Sequence, residues 1–254
     1  MEINDLLKKY SFLKKINSPF MPVYGREKEI DLLQESLLKK RMKNTILIGK
    51  SGSGKSAIIE HFAEINQNSF FLLEMNLSNT VSGTIYRGML EEKINNAFED
   101  IIEFNKNKRK KIILFIDEIH CITNFGSSEG CVCIAEIVKP FLSKLEITII
   151  GATTKEDYEK TIKKDKSLIR RLSPIFIDDL NKEVIIQILN EFALGKISEK
   201  ILNYIYDVSS KIEYATNPDI SLEILDRCLA RKKHTKKEIN EKMIDEIVGY
   251  MNVN

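Results

Sequence analysis

The run "NTILIGKSGSGKSAIIEHFAEI", Asn44 to Ile65, leaves a chain few ways to fold. A strand-forming run, Thr45 to Ile48, meets Gly49, Ser51, Gly52, Ser53 and Gly54. Lys55, Ser56 and Ala57 then open an apolar pattern of helical period. This is G-x-x-x-x-G-K-[ST] set between a strand and a helix. The glycines let backbone N–H groups curl around phosphates, and the following helix presents its positive end to them. Lys55 is placed to reach the β and γ phosphates of a nucleoside triphosphate, and Ser56 to ligate Mg²⁺.

Three further runs read as strands: "SFFLLEMNL" (Ser69 to Leu77), "KIILFID" (Lys111 to Asp117) and "ITIIGA" (Ile147 to Ala152). Between two of them Leu90, Ile94, Phe98 and Ile101 form one apolar helical stripe. Strands apolar on both faces and separated by helices predict a doubly wound α/β core with a parallel sheet. Beyond Asp179 the runs are amphipathic and helical with no strand among them. A small all-helical domain is expected there, its first helix capped by Asn181 and a later one starting at Asp219 after Pro218. The expected division is an extension over 1–20, a nucleotide-binding α/β domain over 21–178 and a helical domain over 179–254.

Composition removes several classes. With 43% hydrophobic and 30% charged residues the chain is soluble and globular. Its 39 basic and 37 acidic residues leave a net charge of +2, so no overall basic field calls for nucleic acid. No apolar run approaches the roughly 18 to 20 residues that span a bilayer, and the charged start lacks a signal-peptide core. A cytoplasmic protein with no membrane partner is expected. The four cysteines, Cys121, Cys131, Cys133 and Cys228, are too scattered for a disulfide framework and offer no second pair at zinc spacing, so they read as reduced thiols. Two lysine-rich patches, "NKNKRKK" and "RKKHTKK", sit at element ends as solvated stretches.

The strand Ile112 to Ile116 ends in Asp117 and Glu118, at the edge where open α/β sheets bind ligands. Paired with the upstream loop, Asp117 would hold Mg²⁺ through its water shell, and Glu118 would orient or deprotonate the attacking water. The chain is therefore expected to bind ATP with Mg²⁺ and to hydrolyse it.

In order and content these motifs resemble the AAA+ ATPases, specifically the first ATPase domain of Clp-type unfoldases and disaggregases, from about Pro22 to Arg231. "PVYGREKEI" is similar to the family's adenine-flanking segment, which makes Val23 and Tyr24 the matching base contacts. "GTIYRGMLEEKI" resembles the family's pore loop, which implies that Tyr86, with Arg87 and Gly88, faces the channel of a hexameric ring and grips polypeptide; an aromatic suits such unspecific contact. "GATTKEDYEKTIKKDKSLIRRL" is similar to the stretch holding a nucleotide-sensing threonine, here Thr154, and two arginines, Arg170 and Arg171, that reach a neighbouring subunit's nucleotide. Pro218 and Asp219 match the helix that packs over the nucleotide; Arg227 and Arg231 are candidates for a sensor arginine.

The resemblance thus implies an ATPase that assembles as a homo-oligomer and remodels or unfolds a protein substrate, directly or through an adaptor. Against the family's pattern, the chain carries no N-terminal substrate domain, coiled-coil insertion or second ATPase domain, and hence no loop for docking a proteolytic partner. In "EGCVCIAEIVKP" the middle of the second channel loop, Cys131 to Glu136, is replaced. A nucleic-acid helper of helicase or clamp-loader type is the alternative from the P-loop architecture and the lysine patches, but it has no use for a Tyr-Arg-Gly segment. A nucleotide-gated scaffold is a third reading, opposed by Glu118, Thr154, Arg170 and Arg171.

Overall fold

The structure, a computed structural model, describes residues 2–81, 87–124, 134–213 and 215–251. The strands are β1 Leu13–Lys15, β2 Thr45–Ile48, β3 Phe70–Met75, β4 Lys111–Ile116, β5 Ile149–Thr153 and β6 Ser173–Phe176. They form one sheet in the order β1-β3-β4-β5-β2-β6, parallel throughout except for the antiparallel β1–β3 pair. All four residues of β2 and all five of β5 are buried, and β4 is buried beyond its first residue. Strands covered on both faces are the reason these runs are apolar without alternation.

The first helices are α1 Ile3–Lys9, α2 Glu27–Leu38, α3 Lys55–Ile65, α4 Leu77–Val81 and α5 Arg87–Asn107. Short ones follow: α6 Cys121–Asn124, α7 Ile134–Val138, α8 Lys155–Lys160 and α9 Lys166–Ile169. The last four are α10 Lys182–Phe192, α11 Glu199–Ser209, α12 Asp219–Thr235 and α13 Glu241–Met251. The expected stripe of α5 is the face it buries: Leu90, Ile94, Phe98 and Ile101 all enter the core around the sheet. Asn181 caps α10 by accepting a hydrogen bond from the Val184 N–H at 2.9 Å, and α12 begins at Asp219. Among the described residues no helix is long and apolar enough to cross a membrane.

The chain divides into two compact units that are not contiguous in sequence. One, the sheet unit, comprises the residues up to Pro19, Lys28–Gly49 and Ser56–Phe176; the other, the helical unit, comprises Phe20–Glu27, Lys50–Lys55 and the chain from Ile177 onward. Two features depart from the expected division. Residues 1–19 are no separate extension: α1 buries Leu6 in the sheet unit's core, Tyr10 donates to Asp100 at 2.6 Å, and β1 adds an edge to the sheet. The loop Lys50–Lys55 and the segment Phe20–Glu27, expected in the α/β domain, cluster with the helices that follow Ile177. The helical unit has its own core around Ile185, Leu189, Leu202, Ile205, Ile224 and Ile244.

Candidate functional site

In the helical unit, the loop after β2 turns on two glycines in the left-handed region, Gly52 at φ +74° and Gly54 at φ +90°. At Gly52 glycine is needed twice over, because a Cβ there would also lie 2.7 Å from the Asp219 Cβ. The start of α12, with Pro218 and Asp219, therefore abuts the loop at closest approach. Lys55, 8% exposed, donates from Nζ to the Lys50 carbonyl at 2.9 Å, and the Ser53 N–H donates to the same carbonyl. Ser53 Oγ is buried with no partner among the described residues. Buried hydroxyls are nearly always bonded, so this oxygen, facing no protein partner, can bond a polar ligand held by the loop.

Arg26 fixes this loop from outside. Its buried guanidinium donates to the carbonyls of Ser53 and Asp178, each at 2.8 Å. Lys50 adds an exposed ion pair with Asp179 at 2.5 Å. Val23 and Tyr24 lie half-buried in the same unit, in the irregular segment before α2. Eight of the expected nucleotide-binding positions, Val23, Tyr24, Ser51, Gly52, Ser53, Gly54, Pro218 and Asp219, thus share one unit with the loop lysine.

In the sheet unit, Gly49, Asp117 and Thr153 stand at the carboxyl ends of three neighbouring strands, β2, β4 and β5. The Gly49 N–H donates to the Thr153 carbonyl at 3.2 Å. Ser56 and Asp117 line one cavity together with Glu60, Glu74, Lys14 and Lys15. The hydroxyl of Ser56 and the carboxylate of Asp117 are the oxygen donors a hard divalent cation takes. Burial and then the charge of Glu74 push the Glu60 carboxyl above its ordinary value. Ala57, next to Ser56 in α3, is half-buried.

The turn after β4 is fixed by packing. Ile119 donates its N–H to the Ala152 carbonyl at 2.9 Å, and its side chain lies where a Cβ on Gly151 would collide at 2.7 Å. Gly151 thereby lets the turn close over β5. Glu118 takes a left-handed φ of +47°, a strained backbone for a residue with a side chain, and such strain concentrates at functional sites. Its exposed carboxylate lies 3.2 Å from His120 Nδ1.

Thr154 follows β5 as the N-cap of α8: its hydroxyl donates to Asp157 Oδ2 at 2.6 Å and accepts from the Asp157 N–H at 3.1 Å. Arg170 and Arg171 lie at the opposite end of the sheet. They directly precede β6, which pairs Ser173 with Thr45 and Phe176 with Ile48, so roughly 13 Å of strand, at ~3.3 Å per residue, separates them from the Asp117 edge. Arg171 is held locally, donating to Ser143 Oγ at 2.6 Å and to the Ser167 carbonyl at 2.8 Å. Arg170 is exposed with no side-chain partner among the described residues.

Tyr86 lies outside the described residues, as do Cys131 and Cys133. Arg87 and Gly88 belong to the first turn of α5 rather than to a loop, and Gly88 faces open space. Arg227 and Arg231 are ion-paired, with Glu223 at 2.5 Å and with Glu246 at 3.1 Å. Two residues the sequence reading passed over stand out: Arg26, two positions after Tyr24, and His120, at the end of "IDEIH".

The sequence pattern of the AAA family, described as the ATPase family associated with various cellular activities, matches residues 45–179. The chain is 35% identical over 230 residues to the chaperone protein ClpB of Aquifex aeolicus, a match that covers 84% of this chain and 22% of that protein. It is 34% identical over 251 residues to the ATP-dependent Clp protease ATP-binding subunit ClpC of Staphylococcus epidermidis, covering 89% of this chain and 30% of that one. The chain thus spans only 22% and 30% of these curated relatives. Among solved structures it is similar to closed-state Hsp104 with ATPγS and FITC casein, at TM-score 0.78 and 26% identity over 97% of this chain and 45% of the other. The S. cerevisiae Hsp104–ADP complex matches at TM-score 0.72 and 27% identity over 88% and 34%. The matched span runs from β2 through the glycine loop and the acidic end of β4 to beyond β6, more than half of the chain, and the chain belongs to the AAA family of ATPases.

Proposed function

We propose that this chain is a Clp-type AAA+ module that binds ATP with Mg²⁺, hydrolyses it within a ring of like subunits, and uses the cycle to remodel or unfold a protein. The observation that carries the reading is the gathering of Gly49, Asp117–Glu118 and Thr153–Thr154 at the carboxyl ends of three adjacent strands. Ligands bind at such edges in open α/β sheets.

Lys55 and the backbone of Gly49 to Ser56 would hold the phosphates, and the Ser53 hydroxyl, with no partner among the described residues, fits the same ligand. Ala57 continues the helix behind them. Val23 and Tyr24 would flank the base, with Pro218 and Asp219 closing on the loop at Gly52. Ser56 and Asp117, on one cavity wall, would take Mg²⁺, which supplies charge neutralisation at the phosphates. Glu118 would orient and deprotonate water. Thr154 would sense the nucleotide by exchanging its Asp157 bond for a phosphate oxygen.

Arg170 and Arg171 stand at the wrong end of the sheet for their own Asp117 edge, which supports a role toward a neighbouring copy's nucleotide. Arginine fingers supplied in trans are worth about 10³ to 10⁵ in rate. The protein substrate is supported by the chaperone names of the relatives and by the casein in the Hsp104 structure. Tyr86, with Arg87 and Gly88, would grip it; a hexameric ring and an adaptor belong to the same reading.

The test is ATP turnover with nucleotide binding measured in parallel. Glu118→Gln should bind ATP normally and turn over about 10² to 10⁴ times more slowly. An unchanged rate would remove Glu118 from catalysis.

A further inference from the structure

We propose that His120 is a positioning residue that aims the Glu118 carboxylate and joins it to the Thr154 cap. The proposal rests on the reading of Glu118 as the base. His120 is largely buried, its side chain 12% exposed, and lies two residues beyond Glu118 in the strained turn after β4.

Both ring nitrogens are engaged, on opposite sides. Nδ1 lies 2.9 Å from the Thr153 hydroxyl, which is itself fully buried on β5, and 3.2 Å from Glu118 Oε2. Nε2 faces Asp157 Oδ2 at 3.8 Å and the Cys121 sulfur at 3.6 Å. Asp157 Oδ2 is also the atom that accepts the Thr154 hydroxyl at 2.6 Å. One ring therefore stands between the base and the residue expected to sense the nucleotide.

Glu118, His120 and Asp157 lie close enough together to suggest a cation site. The ring argues otherwise: it turns a different nitrogen to each carboxylate, and one ion takes only one of them. The arrangement suits positioning instead: Nδ1 bonds the Thr153 hydroxyl, which locks the ring plane, and the same ring edge faces Glu118 Oε2 at 3.2 Å. An exposed glutamate on a strained turn samples many rotamers. A buried imidazole beside it restricts the carboxylate to the face of β5, where Thr154 begins. Small misplacements of a catalytic group cost up to about 10²-fold in rate.

The experiment measures kcat and KM for ATP, nucleotide affinity by a fluorescent ATP analogue, and assembly by sedimentation. His120→Ala should lower kcat by about 10- to 100-fold with KM and affinity unchanged. His120→Asn, whose amide N–H falls near Nδ1, should recover most of the rate, whereas His120→Gln, which mimics Nε2, should not. Thr153→Val, which unlocks the ring and keeps the shape, should give a smaller drop. In the Glu118→Gln background, His120→Ala should slow turnover no further.

Wild-type kcat in His120→Ala, an effect on KM alone, or a further drop of equal size in the Glu118→Gln background would each overturn the proposal. A normal kcat in Glu118→Gln by itself would instead overturn the base assignment on which the proposal stands. If His120→Ala fails to fold, the Asn against Gln contrast decides: equal rates in the two overturn it.

Discussion

The two ends of the same sheet are built in opposite ways. At the amino ends of the strands, two buried asparagines close the backbone. Asn44 donates to the Leu142 carbonyl at 2.8 Å and accepts from the Ile149 N–H at 2.9 Å. Asn105 accepts from the Ile112 N–H at 2.6 Å and donates to the carbonyls of Ile112 and Glu146 at 3.0 and 2.8 Å. At the carboxyl ends Glu118 sits on a left-handed backbone with its carboxylate exposed, and Asp117 and Ser56 line a cavity of mixed charge with Glu60, Glu74, Lys14 and Lys15. One end satisfies its polar groups internally; the other keeps them available. Stability and chemistry are thereby separated along strands only three to six residues long.

Four cations, Arg41, Lys43, Lys144 and Arg171, line one cavity at the amino ends, away from Asp117 and Glu118 of their own subunit. On the proposed reading, that separation is what makes a subunit depend on its neighbour.

The comparison breaks most readily at the arginines. Replacing Arg170 and Arg171 together by Ala should reduce ATP turnover by about 10³-fold or more while leaving ATP affinity intact. A loss of affinity with unchanged turnover would place them at their own subunit's nucleotide. Next in size is Asn105→Ala, which strands the buried N–H and carbonyl of Ile112 and the part-buried Glu146 carbonyl, groups that each cost ~1 kcal/mol or more when unpaired. A urea titration should show about 3 kcal/mol of destabilisation, with kcat per folded molecule unchanged. A kcat effect without destabilisation would erase the difference between the two ends.

The smallest effect concerns Asp165, which caps α9 ahead of the arginines and pairs with Lys139 at 2.8 Å. Burial pushes its carboxyl up, but the Lys139 hydrogen bond and the N–H groups of Leu168 and Ser167 outweigh it and hold the carboxyl below its ordinary value. A depressed carboxyl stabilises the fold above its unfolded value and loses that contribution as pH falls through the folded one. Wild type should therefore out-melt Asp165→Asn at pH 7, with the gap closing below about pH 4. A gap that widens on acidification would contradict this.

Much of the molecule was legible because it obeys one pattern at a time. β2 and β5 are fully buried runs, β3 and β4 are apolar but for Glu74 and Lys111, α5 carries an unbroken stripe, and the glycine loop has fixed spacing. β1 and β6 were not foreseen, and both are edges. β1 is three residues with two lysines, and β6 contains Pro174, which an edge strand tolerates because it pairs on one side only. Arg26 and His120 escaped for another reason: their partners are backbone carbonyls and residues brought near by the fold, which spacing does not reveal. For Thr154 the sequence suggested a sensor, and the structure adds that its hydroxyl already caps a helix.

The most direct measurement mixes two inactive proteins, Lys55→Ala and the Arg170→Ala, Arg171→Ala double variant, and follows ATP turnover. If the amino end of one subunit completes the carboxyl edge of the next, mixed assemblies contain intact sites and turnover rises well above either variant alone. If each subunit uses its own arginines, every site lacks one component and the mixture stays as inactive as its parts, contradicting the account.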